Sequence, residues 1–271
     1  MTGDFPADLR PAASTPAVTF ASGGELLPGV LHLPAGPGPF PVVVLLHGFP
    51  GNERNFDLAQ ALRRAGYAAL VFHYRGSWGA GGTWSWAHVL EDAATVVTQV
   101  RADARLDPSR VAVAGHSAGG FAALRTAAAD PAVGAVASLA GFDLAELAAA
   151  THADPGVRAD WVTAFDQELL PLRGTSGEAL VAEAETAGDA WRLTGLAPSL
   201  AGRPVLLIGA GRDPLSVPAV HHDPLVAAYA SARLEHHVFP TDHALSDHRL
   251  AAAATLIAFL DRHLVASGST R

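Results

Sequence analysis

The sequence predicts an α/β protein with a mostly parallel central sheet flanked by helices. Short, continuously apolar runs alternate with longer segments of helical character, which is the pattern of βαβ units. Residues 42–46 and 68–73 are two such runs, and strands that are apolar at every position are typical of a parallel sheet buried on both faces. The length of 271 residues suits one large α/β domain.

The elements can be placed in order along the chain. A Ser-Gly-Gly turn at 22–24 predicts an opening hairpin of two strands. Strands are predicted at 17–21, 25–33, 42–46, 68–73, 110–114, 133–139, 205–208 and 234–239. Helices are predicted at 55–65, 87–101, 118–129, 224–231 and 248–266.

Residues 142–200 interrupt this alternation, because they have helical character but contain no buried strand run. A connection of this length is typical of a lid or a binding segment. We therefore expect a helical cap insertion at 142–200 in a core formed by residues 16–141 and 201–271. Residues 1–15, which are rich in proline and small side chains, are expected to form a flexible arm.

Composition excludes several classes of function. The formal net charge is −8 and there is no basic run, so we expect no nucleic-acid partner. The absence of cysteine rules out disulfides, a cysteine nucleophile and thiolate metal sites. No stretch reaches the roughly 18 apolar residues of a membrane helix, and the N-terminus lacks the apolar segment of a secretory signal. We expect no membrane partner and a cytoplasmic location.

The most informative motif is Gly-His-Ser-Ala-Gly-Gly at 115–120. It stands between a predicted buried strand and a predicted helix, and a serine on such a sharp turn exposes its hydroxyl as a nucleophile. Glycines at 115 and 119 permit a tight turn and close packing of the helix on the strand. Ser117 is therefore the candidate nucleophile.

A serine nucleophile needs a base, and that base is best a histidine oriented by a carboxylate. Asp213 follows the strand at 205–208, and His243 follows the strand at 234–239. Ser117, Asp213 and His243 thus all fall at the carboxyl ends of strands, where open α/β sheets place their sites. Asp143, after the strand at 133–139, is a rival acid, and His248 is a rival base.

The oxyanion of the reaction needs two backbone N–H donors. One is the N–H of Ala118, directly after the nucleophile. The other is expected from the loop 47–51, which follows the strand at 42–46. Phe49 is the candidate there, because Pro50 has no N–H.

These motifs together resemble the α/β-hydrolase superfamily, in particular its branch of dienelactone-hydrolase-like and prolyl-oligopeptidase-like serine esterases. The resemblance covers about residues 17–266 apart from the cap, and it implies the α/β-hydrolase fold and the Ser-Asp-His triad. The matching segments are His-Gly-Phe-Pro-Gly at 47–51, His-Tyr-Arg-Gly-Ser at 73–77, the elbow at 115–120, Gly-Arg-Asp at 211–213 and the run 242–249 that begins Asp-His-Ala-Leu. Dienelactone hydrolases proper use a cysteine where this chain has Ser117.

Aromatic residues supply candidates for substrate binding. Arg75, Trp78, Trp84 and Trp86 lie in the glycine-rich loop after the strand at 68–73, and Trp161 lies in the cap. These side chains either pack the loop against the cap or line the substrate pocket, where aromatic residues are common.

Two histidine pairs, 221–222 and 236–237, raise the question of a metal site. Adjacent residues on a strand face opposite sides, so the second pair cannot bind one ion together. We expect no metal and no cofactor.

The sequence therefore predicts a serine hydrolase that cleaves a carboxylic ester or related acyl bond of a small molecule. The alternatives are a peptidase or amidase of the same fold, a thioesterase or acyltransferase in a biosynthetic pathway, and a catalytically silent binding protein. The oligomeric state is left open, with a homodimer as one option.

Overall fold

The computed structural model describes residues 11–265 and confirms the mostly parallel sheet. Its strands are β1 (Ala17–Ser22), β2 (Glu25–His32), β3 (Phe40–Leu46), β4 (Ala68–Phe72), β5 (Leu106–His116), β6 (Val133–Leu139), β7 (Pro204–Ala210) and β8 (Arg233–Phe239). Their order across the sheet is β1-β2-β4-β3-β5-β6-β7-β8. The hairpin β1–β2 is antiparallel and joins β4 antiparallel, whereas every neighbouring pair from β4 to β8 is parallel.

Helices connect the parallel strands. They are α1 (Phe56–Arg64), α2 (Trp86–Val100), α3 (Ala118–Ala129), α4 (Leu144–Ala153), α5 (Pro155–Gln167), α6 (Gly177–Ala187), α7 (Ala197–Leu200), α8 (Pro218–His221), α9 (Asp223–Ala228) and α10 (Arg249–Leu260). Two 3₁₀ turns, Gly188–Trp191 and Leu193–Leu196, precede α7, and a π-helical turn, Asp261–Val265, follows α10. No helix in the described part of the chain has both the length and the hydropathy needed to cross a bilayer.

Side-chain alternation along β3 divides the core into two layers. Val42 and Val44 pack with buried residues of α2 and α3 on one face of the sheet. Val43 and Leu45 pack with residues of α1 and α10 on the other face. Successive side chains of a strand point to opposite faces, so a strand covered by helices on both sides must be apolar at every position.

The segment 142–200 contains helices and turns only. One of its helices, α6, caps the N-terminus of α2. The Glu183 carboxylate of α6 accepts hydrogen bonds from the backbone N–H groups of Trp86 (2.9 Å) and Ala87 (2.7 Å). The indole of Trp86 donates in return to the carbonyl oxygen of Leu180, at 3.1 Å. Glu183 therefore satisfies two N–H groups that a helix N-terminus leaves without intrahelical partners.

Element boundaries differ from the sequence predictions at a few ends. Strand β5 begins at Leu106 instead of residue 110, because Leu106 pairs with Phe40 across an irregularity in the ladder. The predicted helix 224–231 is shorter and is preceded by the separate turn α8. Residue 266, the predicted end of the last helix, lies outside the described residues.

The predicted N-terminal arm falls mostly outside the described residues, which begin at residue 11. Ser14, near the predicted end of that arm, pairs antiparallel with Leu33 directly after β2. The N–H of Gly36 also donates to the carbonyl oxygen of Pro11, at 2.9 Å. The chain is thus attached to the sheet earlier than residue 16, because its backbone groups extend the ladder beyond β2.

Candidate active site

Ser117 occupies the turn between β5 and α3. Its φ of 58° and ψ of −126° form a backbone conformation that is strained for any residue with a side chain. Two hydrogen bonds stabilise this conformation: the Ser117 N–H donates to Leu139 O (2.9 Å), and the Gly120 N–H donates to Ser117 O (2.8 Å). A Cβ on Gly119 would overlap the carbonyl oxygen of Leu46, so the close approach of α3 to β3 requires glycine there.

His243 and Asp213 lie on the loops that follow β8 and β7. His243 Nδ1 is 2.6 Å from Asp213 Oδ2, and the Asp213 side chain is fully shielded from solvent while that of His243 is 20 % exposed. Asp213 Oδ1 accepts the N–H groups of Leu215 (2.8 Å) and Ser216 (2.9 Å). Burial alone would raise the pKa of Asp213, but these hydrogen bonds hold it below its ordinary value. The ionised carboxylate keeps the imidazole proton on Nδ1, which leaves Nε2 as a base.

The rival acid and the rival base are engaged elsewhere. Asp143 caps α4 by accepting the N–H of Ala145 at 2.9 Å, and its other oxygen accepts the N–H of Leu193 at 2.9 Å. Burial raises the pKa of Asp143. His248 Nδ1 lies 2.9 Å from Asp247 Oδ1, at the start of α10. The geometry therefore pairs His243 with Asp213 and not with Asp143.

The members of each histidine pair have different ring neighbours, and for the pair on β8 strand alternation accounts for this. The ring of His236 lies 5.8 Å from that of His222, whereas the ring of His237 stacks on Phe239 at 6.3 Å. His221 stacks on Phe142, with ring centroids 4.4 Å apart. Within residues 11–265, no three His, Asp or Glu side chains are grouped as a metal site would need.

Gly48 runs directly beside the serine. A Cβ on this glycine would lie 2.9 Å from Ser117 Cβ and 3.5 Å from Ser117 Oγ, so the backbone of the loop after β3 packs directly against the candidate nucleophile. The next residue is Phe49. Its N–H and that of Ala118, the first residue of α3, have no acceptor in the described part of the chain. Free N–H groups beside a nucleophile are the donors that an oxyanion hole requires.

A cavity of about 450 Å³, called here the Ser117 pocket, opens over these groups. Its lining is mostly apolar, with Phe and Trp side chains from both the core and the segment 142–200, and it also includes polar side chains. Of the predicted residues, it brings together Ser117, His243, Phe49, Ala118, Trp86 and Trp161; its other lining residues are Gly48, Pro50, Gly51, Asn52, Glu53, His116, Phe142, Ala164, Phe165, Gln167, Glu168, Leu215 and Ala244.

Three predicted substrate-binding residues lie away from the Ser117 pocket, which corrects that expectation. Arg75 is buried and forms ion pairs with the fully buried Asp92 (Nε–Oδ1 2.7 Å) and with Glu91 (Nη2–Oε2 2.7 Å), and it does not line the pocket. Trp78 donates its indole N–H to the carbonyl oxygen of Pro50 at 3.0 Å. Trp84 is 2 % exposed and packs behind Trp86, with ring centroids 4.6 Å apart.

Several lining residues escaped the sequence interpretation. Phe142 follows β6 at the same sheet edge as the triad candidates, and this position was the signal that could have identified it. Leu215 follows the candidate acid by two residues and turns its side chain into the pocket. No sequence pattern identifies Glu53 or Glu168 as lining residues. Their position at the pocket depends on the tertiary arrangement of the loop after β3 and the end of α5.

Comparisons with known proteins agree with this architecture. The family model described as "Alpha/beta hydrolase family" matches residues 43–255. No curated protein matches the sequence. Among solved structures, an esterase of Pyrococcus furiosus, PF2001, is 17 % identical with a TM-score of 0.72, covering 93 % of this chain and 92 % of its own.

Two further solved structures are similar at the level of the fold. The 2,6-dihydroxy-pseudo-oxynicotine hydrolase is 21 % identical with a TM-score of 0.71, covering 93 % of this chain and 69 % of its own. Est1E of Butyrivibrio proteoclasticus, solved with ferulic acid bound, is 19 % identical with a TM-score of 0.68, covering 92 % of this chain and 100 % of its own. Since the family match spans most of the sequence and the sheet has the same architecture, the chain belongs to the α/β-hydrolase family.

Proposed function

We propose that this protein is a serine hydrolase that cleaves a carboxylic ester of a small molecule through a Ser117–His243–Asp213 triad. The observation that carries the proposal is the 2.6 Å contact between His243 Nδ1 and Asp213 Oδ2, with His243 and the strained Ser117 lining one pocket. The esterases among the structural neighbours, including one solved with ferulic acid, support an ester as the substrate.

The proposed chemistry follows from the protonation states. His243 Nε2 takes the proton of Ser117 Oγ as the oxygen attacks the ester carbonyl. The N–H groups of Phe49 and Ala118 stabilise the oxyanion, aided by the positive end of the α3 dipole. The intermediate collapses when His243 returns the proton to the leaving alcohol, which leaves an acyl group on Ser117. Water, activated by the same imidazole, then releases the acid.

The test combines labelling with a panel of substrates. We expect a fluorophosphonate probe to label the native enzyme and not Ser117→Ala, and we expect p-nitrophenyl esters to be hydrolysed. Loss of Ser117 should lower kcat by several orders of magnitude, roughly 10⁴-fold or more. Near-native activity of a pure Ser117→Ala preparation would show that the triad is misassigned.

The panel also separates the alternatives. Cleavage of amides with no cleavage of esters would indicate a peptidase or amidase. Rapid acylation followed by transfer to an added alcohol or thiol in preference to water would indicate an acyltransferase. A thioester turned over much faster than its oxygen ester would indicate a thioesterase.

A further inference from the structure

The charges on the wall of the Ser117 pocket all have one sign. Apart from the two histidines beside the serine, the ionisable side chains among its lining residues are Glu53 and Glu168, and no arginine of the described chain lines it. The chain contains no lysine, so an ammonium group cannot compensate either carboxylate. The carboxylates of Glu53 and Glu168 therefore give the pocket lining an excess of negative charge.

Glu168 is the less compensated of the two carboxylates. It is the residue at the C-terminal end of α5, where the last carbonyl groups give the helix a partial negative charge. Its carboxylate has no hydrogen-bond or ion-pair partner within residues 11–265. The pocket therefore faces both the negative end of a helix dipole and an unpaired carboxylate.

Glu53 and its neighbouring cations do not reverse this field. Glu53 accepts the N–H of Asn55 at 2.8 Å and lies 3.7 Å from Arg249, whose guanidinium is 2.6 Å from Asp57. Arg54, the next residue, places its guanidinium over the ring of Trp78 at 4.3 Å. Arg54 is thus held by a ring that does not line the pocket. Arg249 pairs most closely with Asp57, which does not line the pocket either, and at 3.7 Å it compensates Glu53 only in part.

The pocket is also lined by a cluster of aromatic rings. Phe142 packs on Trp161 with ring centroids 5.5 Å apart, and Trp161 packs on Phe165 at 5.5 Å. Phe165 also contacts Phe49 at 5.0 Å and Trp86 at 5.9 Å. Ring faces attract cations and give anions no compensation, so this cluster reinforces the selectivity of the carboxylates.

We propose that the Ser117 pocket selects its esters by charge, in the order cationic, then neutral, then anionic. The substrate class is an ester with a bulky apolar body that carries a positive charge or none, and esters with a free carboxylate are discriminated against. The inference rests on the proposed esterase function and adds the chemical class of its substrate.

The test uses p-nitrophenyl esters of equal chain length that differ only at the distal end of the acyl group. One pair ends in trimethylammonium or in its neutral isostere, tert-butyl. The other pair ends in a carboxylate or in its methyl ester. We expect kcat/KM to be about tenfold higher for the cationic than for the anionic ester, because a unit charge at ~6 Å is only partly screened at a pocket mouth. High salt should shrink the ratio.

Glu168→Gln tests the cause with nearly unchanged side-chain volume. It should reduce the cationic-to-anionic ratio by about threefold. Asp160→Asn is the matched control, because Asp160 is an exposed carboxylate on the same helix that does not line the pocket. It lies eight residues before Glu168, roughly 12 Å along the helix axis, and its carboxylate is exposed to solvent. It should leave the ratio unchanged.

Failure of this inference can be told apart from failure of the esterase proposal. Equal kcat/KM for cationic and anionic esters, with normal hydrolysis of both neutral isosteres, would overturn charge selection and leave the esterase intact. A higher rate on the anionic ester, or equal responses of Glu168→Gln and Asp160→Asn, would overturn it as well. Absence of turnover on every ester, with no fluorophosphonate labelling, would overturn the esterase proposal itself.

Discussion

His116 Nε2 lies 2.7 Å from the carbonyl oxygen of His243, so the residue before the candidate nucleophile holds the loop that carries the candidate base. The acceptor is a carbonyl oxygen, and the imidazole must therefore donate through Nε2–H. The two rings are also in contact, with centroids 4.9 Å apart and planes tilted by 52°. The separation of Ser117 and His243 is thus set by a bond between their own chain segments, β5 and the loop after β8.

Replacing the donor should disturb the candidate base without removing it. We expect His116→Phe to lower kcat by about fivefold or more, since losing one buried hydrogen bond costs on the order of 1 kcal/mol and frees the His243 loop. His116→Gln keeps an N–H donor and should recover much of the rate. Steady-state kinetics with circular dichroism as a folding check measures both. Equal activity of the two variants would show that the bond does not position His243.

The choice between the two aspartates can be tested by a matched pair of variants. Asp213→Asn should lower kcat by roughly 10³- to 10⁴-fold, because an amide no longer holds the imidazole in the required tautomer. Asp143→Asn should instead lower the free energy of unfolding by about 1 kcal/mol, with activity largely retained, because an amide has one acceptor oxygen and cannot accept both the Ala145 and the Leu193 N–H. Urea unfolding and p-nitrophenyl ester kinetics separate these effects. The reversed result would identify Asp143 as the acid.

As the pH is lowered, the protein should begin to lose stability at pH values well above those at which its carboxylates titrate. Burial lowers the pKa of His47 to about 3 and those of His73, His116 and His221 to about 4. Their unfolded pKa is about 6.5. Below about pH 6.5 the unfolded chain therefore binds protons that the folded chain refuses, and stability falls as the pH falls toward about 4.

The two most buried of these rings, His47 and His116, each contribute a slope of up to about 1.4 kcal/mol per pH unit in that window. Urea unfolding at about pH 7 and about pH 5 measures the total slope. His116→Gln should reduce this slope by up to about 1.4 kcal/mol per pH unit, because it removes one of the titrating groups. A free energy of unfolding that stays constant between the two pH values would show that these histidines are protonated in the folded protein.

Trp161 and Trp84 should respond differently to the same substitution. Trp161→Ala removes a wall of the Ser117 pocket, so KM for bulky acyl esters should rise several-fold while short acyl esters are affected less. Trp84→Ala removes a buried ring and should lower the free energy of unfolding by about 3–5 kcal/mol. If Trp161→Ala changes bulky and short esters alike, the pocket assignment is incorrect. Denaturant unfolding of both variants supplies the control.

The fold could be predicted because the patterns that specify its strands and helices are local in the sequence. The continuously apolar β3 and the alternation of strands and helices are set by burial on two faces of a sheet. Ser117, Asp213 and His243 could be placed because each follows a strand end. The elbow motif constrains its neighbours so tightly that the limits of α3 agree with the predicted residues 118–129.

The pocket wall was less predictable because it depends on contacts between distant segments. Arg75 and Trp84 share a glycine-rich loop with Trp86, but only Trp86 faces the pocket. The difference arises because Asp92 draws Arg75 inward and the ring of Trp86 covers Trp84. Neither partner could be inferred from the loop's own residues.

The bidentate bond from Glu183 to the start of α2 has a consequence for dissecting this enzyme. Excision of residues 142–200 would expose two helix-end N–H groups and the indole of Trp86 to solvent, so a shortened protein would need a replacement carboxylate and a polar side chain there. A graft that exchanges α5 alone and keeps the contacts of Arg158 and Asp166 with α6 would leave the bonds of Glu183 in place. Such chimaeras would change the pocket residues that α5 supplies and keep the hydrogen bonds between α6 and α2.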